Sequence, residues 1–264
     1  MFNFTLWDNF MNKFDNGAAV VFGATGGIGR HVCLELAKNG SDVAIVWRSN
    51  EELALELVSA IQKMGRKATS HQCDVLISGS VNKVFESATR QHKQIHTLVW
   101  GAGPVVEQVH YRDVSFKQWQ TALNIEVNGF FNASKTAIMH MKDKGGSIIH
   151  LGSAGELSWP EKDVLSVAPK AANESLIKAI AREEGKNGIR ANSVLIGVIE
   201  AGMFLELKKQ GVFDQEWTEA VQKNLALKRW GQPEEVGYAV VFLASKFAAY
   251  ITGQQISVAG GYGL

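Results

Sequence analysis

The chain has 264 residues, 46% hydrophobic and 20% charged, which is ordinary for a globular protein and ample for one α/β domain with a sizeable core. A formal net charge of +1 argues against a nucleic-acid surface or an acidic-membrane binder. Cys33 and Cys73 lie in separate apolar stretches, which gives neither a disulfide framework nor a zinc spacing and suits a reducing, cytoplasmic setting. His92 and His96 are four apart but lack a carboxylate or cysteine to complete a ligand set, so no metal is expected there. The first 13 residues are aromatic-rich and lack a basic region followed by an apolar one. They read as an N-terminal arm packed on its own domain, not as a signal peptide. No run approaches the roughly 18 apolar residues of a membrane span.

Apolar β-rich runs then alternate with helix-period segments. AAVVF (18–22) predicts a strand and 30–40 a helix ending on Gly40; DVAIVW (42–47) predicts a strand and 51–65 a helix. KATSHQCDV follows as a strand, 80–92 as a helix, HTLVWGAG as a strand running into a glycine turn, and 116–141 as one long helix. GSIIHLGSAG, a helix over 170–185, IRANSVLIG, a helix over 233–245 and QQISVAGG complete the series. Repeated β-α-β units with strands apolar on both faces mean a single α/β domain over 1–264. It is a doubly wound parallel sheet covered by helices on each side, in three layers. Residues 200–224 interrupt the alternation near the strand C-termini and form a candidate substrate lid.

VVFGATGGIGRHV places Gly23, Gly27 and Gly29 between the first strand and the first helix. Glycines there permit a sharp turn and let the backbone approach a pyrophosphate, whose charge the helix N-terminus favours. Thr25 and Ile28, in the same loop, join them as candidate cofactor contacts. The second strand ends VWRSN, where an acid would bind adenosine ribose hydroxyls. Trp47 and Arg48 stand there instead, and Arg48 suits a 2′-phosphate, so NADP(H) is expected over NAD(H). Asp74 either accepts from an adenine amine, with Val75 beside it, or caps the following helix.

The glycine spacing, CDV, GAG after the fourth strand and Ser153 with Lys170 together resemble the short-chain dehydrogenase/reductase superfamily. The tail RWGQPEEVGYAVVFLASKFAAYITGQQISVAGG is similar to that family's C-terminal signature, and the resemblance runs from about Phe14 to the end. It implies a Rossmann-type sheet of seven parallel strands in the order 3-2-1-4-5-6-7 and a nicotinamide cofactor also touching Ala102, Gly103, Lys170 and Ile199. It also implies a small-molecule substrate and a homotetramer or homodimer. The small residues Ala171 and Ala172 suit packing of the Glu126 and Lys170 helices against symmetry mates.

The family's active site is an Asn–Ser–Tyr–Lys set. By position, Ser153 keeps the serine and Lys170 the lysine, whereas the tyrosine is Ser166 and the asparagine is Glu126. The NNAG turn is WGAG (100–103), and the threonine that holds the nicotinamide carboxamide is Ala201. A phenol beside a lysine ammonium ionises near neutrality; a serine hydroxyl is too weak an acid and a ring shorter. Ser166 shares a helix face with Lys170. Because Pro169 belongs in a first turn, the helix is expected to start just before it, with Ser166 as its N-cap. Peroxisomal-type 2,4-dienoyl-CoA reductases also lack the tyrosine, keep the lysine and carry a carboxylate at the asparagine position. The resemblance therefore implies reduction of an enoyl or dienoyl compound, such as an acyl thioester, with the proton passing from Glu126 through water near Ser153 and Lys170. Three alternatives stay open: a 3-oxoacyl-type carbonyl reductase with a donor such as Tyr111 or His110, a non-catalytic cofactor-binding regulator or scaffold, and a cofactor-bound isomerase or cyclase.

Overall fold

The computed structural model describes residues 13, 14 and 16–264; the rest of the N-terminal arm lies outside the described residues. Seven parallel strands form one sheet in the order β3-β2-β1-β4-β5-β6-β7, which is the expected fold class and order. The strands are β1 Ala18–Phe22, β2 Asp42–Trp47, β3 Ala68–Gln72, β4 Ile95–Trp100, β5 Gly146–Ser153, β6 Ile189–Ile196 and β7 Gln255–Val258. The helices are α1 Gly29–Lys38, α2 Glu51–Lys63, α3 Ser80–His92, α4 Phe116–Leu123, α5 Gly129–Met141, α6 Val164–Glu184, α7 Met203–Lys209, α8 Gln215–Lys223 and α9 Pro233–Ala244.

Every residue of β1 and β4 is buried, because alternate side chains feed two cores. Val21, Ile45, Val99 and Ile149 pack with Val32 and Leu36 of α1 and Val236 and Val240 of α9. Val20, Phe22, Leu98, Trp100 and Ile148 pack with Phe85 of α3 and Phe130 and Ala137 of α5. Each such fully buried side chain contributes about 1.5–3 kcal/mol, so the two-sided burial fixes the register that brings the strand C-termini to one edge. Local signals set the helix starts. Asn50 accepts from Leu53 N at 3.0 Å ahead of α2, and reciprocal capping boxes open α4 (Ser115 with Gln118) and α9 (Gln232 with Glu235, Pro233 at the first position).

Two expectations are corrected. The long helix 116–141 is not continuous: a π-helical turn, Asn124–Asn128, separates α4 from α5. And α6 starts at Val164, not just before Pro169, so Ser166 is its third residue and caps nothing. The Asp163 carbonyl accepts from Ser166 N (3.1 Å) and Val167 N (2.9 Å), closing a turn before the proline arrives. Pro169 then removes a single bond, to the Leu165 carbonyl. Residues 200–224 form α7 and α8, tied down by an aromatic cluster of Phe204, Phe213, Trp217 and Trp230. Among the described residues no helix is long and apolar enough to cross a membrane.

Candidate active site

The glycine loop leaves β1 through a left-handed turn, Gly23 at φ +75°. A Cβ on Gly23 would stand 2.3 Å from the Gly101 carbonyl oxygen, and one on Gly29 would stand 2.1 Å from the Gly23 oxygen. Neither position admits a side chain. A Cβ on Gly27 would stand 2.3 Å from Gly202 N, so the residue just ahead of α7 seats directly on the loop. Thr25 and Ile28 are half-buried on the same loop, and α1 begins with no acid in its first turn, leaving its N-terminal amides suited to an anion. At the end of β2, Trp47 turns inward to donate to Ser70 Oγ (2.7 Å), while Arg48 is exposed and has no ion-pair partner among the described residues. Asp74 Oδ1 accepts from Leu76 N (2.9 Å) and holds a local turn. It does not cap α3, whose start is Ser80 behind Gly79. Ile199 is buried and pairs with Gly231. This cradle of closely approached backbone, a helix N-terminus without acids and an unpaired arginine fits a nicotinamide dinucleotide.

Past β4 the WGAG turn holds Trp100, Ala102 and Gly103. Trp100 is fully buried, and a Cβ on Gly129 would stand 2.8 Å from its ring. The indole at the first position of the WGAG turn is thus accommodated by a glycine at the start of α5. Gly103 lies over the site itself, where a Cβ would be 2.4 Å from Glu126 Oε1 and 3.6 Å from Lys170 Nζ.

Glu126 sits in the π-helical turn, 2% exposed, and π-turns re-aim a helical side chain by one position. Its Oε1 forms a direct ion pair and hydrogen bond with Lys170 Nζ. Asn173 Nδ2 donates to the Glu126 carbonyl (3.1 Å) and to His150 Nε2 (3.3 Å), and His150 Nδ1 donates to Glu174 Oε1 (2.8 Å). Burial alone would raise the Glu174 carboxyl, but the hydrogen bond from His150 brings it below its ordinary value. This buried chain anchors the turn that carries Glu126. Ser153, at the end of β5, accepts from Gly155 N (3.0 Å). Ser166 is half-buried, on the same face of α6 as Lys170.

Two carboxyls escaped the sequence reading. Asp163, just ahead of α6, accepts from Gln108 Nε2 through Oδ1 (3.1 Å). Burial raises it above the usual aspartate range, against the pull of Gln108 and of the Lys170 charge. Glu156, three residues after Ser153, is pushed up to about 7 by burial and by Glu174, with Lys178 and Lys170 opposing, and its Oε1 is buried without a hydrogen-bond partner among the described residues. Only their closeness to Ser153 and Ser166 in sequence marked either one. Tyr111 is 82% exposed on a short 3-10 turn, and the half-buried His110 precedes it. His92 bonds Thr69 Oγ1 (2.9 Å) and His96 bonds Ser41 Oγ (3.1 Å). No cluster of three metal-ligating side chains occurs among the described residues.

Residues 23–263 match the family model described as enoyl-(acyl carrier protein) reductase. The uncharacterized oxidoreductase YgfF of Escherichia coli K12 is 32% identical over 248 residues, 92% of this chain and 98% of that protein. The 3-oxoacyl-[acyl-carrier-protein] reductase FabG of Aquifex aeolicus is 30% identical over 250 residues, 94% and 98% of the two chains. Among solved structures, a short-chain dehydrogenase/reductase from Serratia marcescens superposes with a TM-score of 0.87 at 26% identity, covering 96% of this chain and all of that one.

Proposed function

The chain belongs to the short-chain dehydrogenase/reductase superfamily of oxidoreductases, and from that premise we propose that it is an NADP(H)-dependent reductase of a conjugated carbon–carbon double bond, its substrate an enoyl or dienoyl thioester or a related carbonyl compound. The observation that carries this reading is the Glu126–Lys170 ion pair. In the family's carbonyl reducers the lysine sits beside a phenol that protonates an oxygen. Here residue 166 offers no such acid, and the lysine is committed to a carboxylate. The description of the matching family model supports the same direction.

A bound nicotinamide would supply hydride. The Gly23–Gly29 loop would hold its pyrophosphate and Arg48 a 2′-phosphate. Lys170, positioned by Glu126, lends positive charge to the oxygen on which the electrons of a conjugated system accumulate. Ser153 offers that oxygen a hydroxyl donor. Glu126 and Lys170 exchange a proton through their direct contact and so form the site's proton-handling pair, and Ser166 has no part in it.

A second reading, reduction of a 3-oxoacyl carbonyl, is favoured by the FabG relatives. Enoyl, dienoyl and 3-oxoacyl thioesters assayed with NADPH separate the two. The expected result is consumption of NADPH with the conjugated thioesters. Glu126→Gln should then lower turnover about 10²-fold or more with NADPH affinity nearly intact, and Ser166→Ala should leave it within about twofold. Activity on 3-oxoacyl thioesters alone overturns the first reading in favour of the second. Tight NADPH binding with no turnover overturns both and leaves the non-reductive alternatives.

A further inference from the structure

Asp163 occupies the N-cap position of α6, where an aspartate ordinarily accepts from the amides of the first turn. It makes no such bond. Its carboxyl is instead drawn to the loop after β4, where Gln108 holds Oδ1 and leaves Oδ2 available.

Asp163, Ser166 and Lys170 stand at i, i+3 and i+7, one face of α6. A helical side chain leans over the turn N-terminal to its own Cα, so a phenol at 166 would project toward residue 163. The serine does not reach as far as a phenol would, and Asp163 is the acid that lies in that direction along the face.

We propose that Asp163 is the acid that replaces the missing phenol and makes the final proton transfer to the substrate. This rests on the reductive reading and names the donor within it. Hydride from the reduced dinucleotide adds to the conjugated carbon, and the double-bond electron pair moves onto the carbonyl to give an enolate. The Asp163 O–H bond breaks and its proton bonds the α-carbon. The aspartate is left as a carboxylate and takes a proton back from solvent by way of the Glu126–Lys170 pair. One reduced dinucleotide, one proton and one double bond are consumed.

The surroundings suit both halves of this cycle. Burial favours the protonated acid before transfer. The Lys170 ammonium and the α6 N-terminus then stabilise the carboxylate that remains. The charged group facing Asp163 is Lys170 of its own helix, with Glu126 paired behind it; the loop after β4 contributes the neutral Gln108. Glu156 is the competitor. Its electrostatic neighbours are Glu174, then Lys178 and Lys170, so its larger couplings run to the part of α6 beyond Lys170, and the Glu156→Gln arm of the test separates the two.

The test combines pH–rate profiles with direct titration of the full chain saturated with NADP+. The profiles use whichever thioester the panel identifies. The wild-type kcat should fall on the alkaline side as one group loses its proton. In Asp163→Asn that limb should vanish and kcat drop about 10²–10³-fold, while NADPH affinity and melting temperature hold. Asp163→Glu should restore part of the rate, and Glu156→Gln should keep the limb. In protein carrying ¹³C at the aspartate carboxyls, the resonance missing from Asp163→Asn should titrate above the ordinary aspartate range.

An ordinary aspartate titration overturns the proposal, as does Asp163→Asn within threefold of wild type or a limb that disappears in Glu156→Gln instead. The NMR titration needs no turnover, and the alkaline limb can be read on a ketone as well as an alkene. Failure of the double-bond reading is therefore seen in the substrate panel, separately from failure of Asp163.

Discussion

At Glu156 a half-buried carboxyl keeps its proton to about pH 7, where an unfolded glutamate loses it near its ordinary value of 4.5. Below pH 4.5 both states are protonated and the residue is neutral to stability. As the pH climbs from there to 7, the unfolded chain ionises and the native one resists, so stability falls, and above 7 the penalty is constant. The full shift corresponds to about 3 kcal/mol, which partial exposure and solvent screening cut to about 1 kcal/mol. Glu156→Gln is expected to be more stable than wild type at pH 8 by about 1 kcal/mol, roughly 2–4 °C in Tm, with the two curves converging near pH 4. Thermal melts at the two pH values check this; a constant difference across pH would mean that packing, not ionisation, is responsible. The same residue shows what a sequence hides. Ser153, Glu126 and Lys170 follow from spacing against a known pattern. Glu156 and Asp163 acquire their chemistry from burial and from neighbours such as Gln108, 55 positions away, which no local pattern encodes.

Among the elements, strand and helix positions were legible because hydrophobic period tracks burial. Helix α3 runs Ser80–His92 and β1 Ala18–Phe22, the same spans that periodicity predicts. The π-helical turn was not legible, since one extra residue in a turn leaves an apolar period almost unchanged while swinging Glu126 onto Lys170. The start of α6 was misplaced because proline was allowed to veto a helix that tertiary packing of the buried Leu165, Val167 and Pro169 sustains. The β2 end carries a cofactor prediction. With Trp47 turned inward and bonded to Ser70, Arg48 is the cation left at the strand end to meet a 2′-phosphate. A charge-assisted pair of this kind contributes roughly 1.5–3 kcal/mol. Titrating both nucleotides should give NADPH the tighter Kd by about 10- to 100-fold, and Arg48→Ala should erase most of that margin while leaving NADH unchanged. Equal wild-type affinities would remove the argument for NADP(H).

For the molecule as a whole, burial is uneven in a way that implies a partner. Parallel sheets are normally covered on both faces, and β1 to β4 are largely buried, apart from Asp42 of β2 and Ser70 and Gln72 of β3. Strand β7, at the sheet edge, has Gln255 and Ser257 exposed with Ile256 and Val258 only half-covered. On the other side, α5 presents Phe131 at 50% and Met139 at 60% exposure, and Ala172 of α6 is open to solvent. Two separate faces of this kind, one at the sheet edge and one along the helices that carry Glu126 and Lys170, are what a homotetramer with two kinds of two-fold contact would cover. Light scattering at micromolar concentration should therefore give about four times the mass of one chain. Phe131→Glu, which places a charge in the helical face without touching either core, should halve that mass. Because α5 continues from the turn that aims Glu126, the same change should lower turnover more than it lowers NADPH affinity. A wild-type monomer with full activity would show that the exposed faces serve some other purpose and that one chain alone keeps the Glu126–Lys170 pair in place.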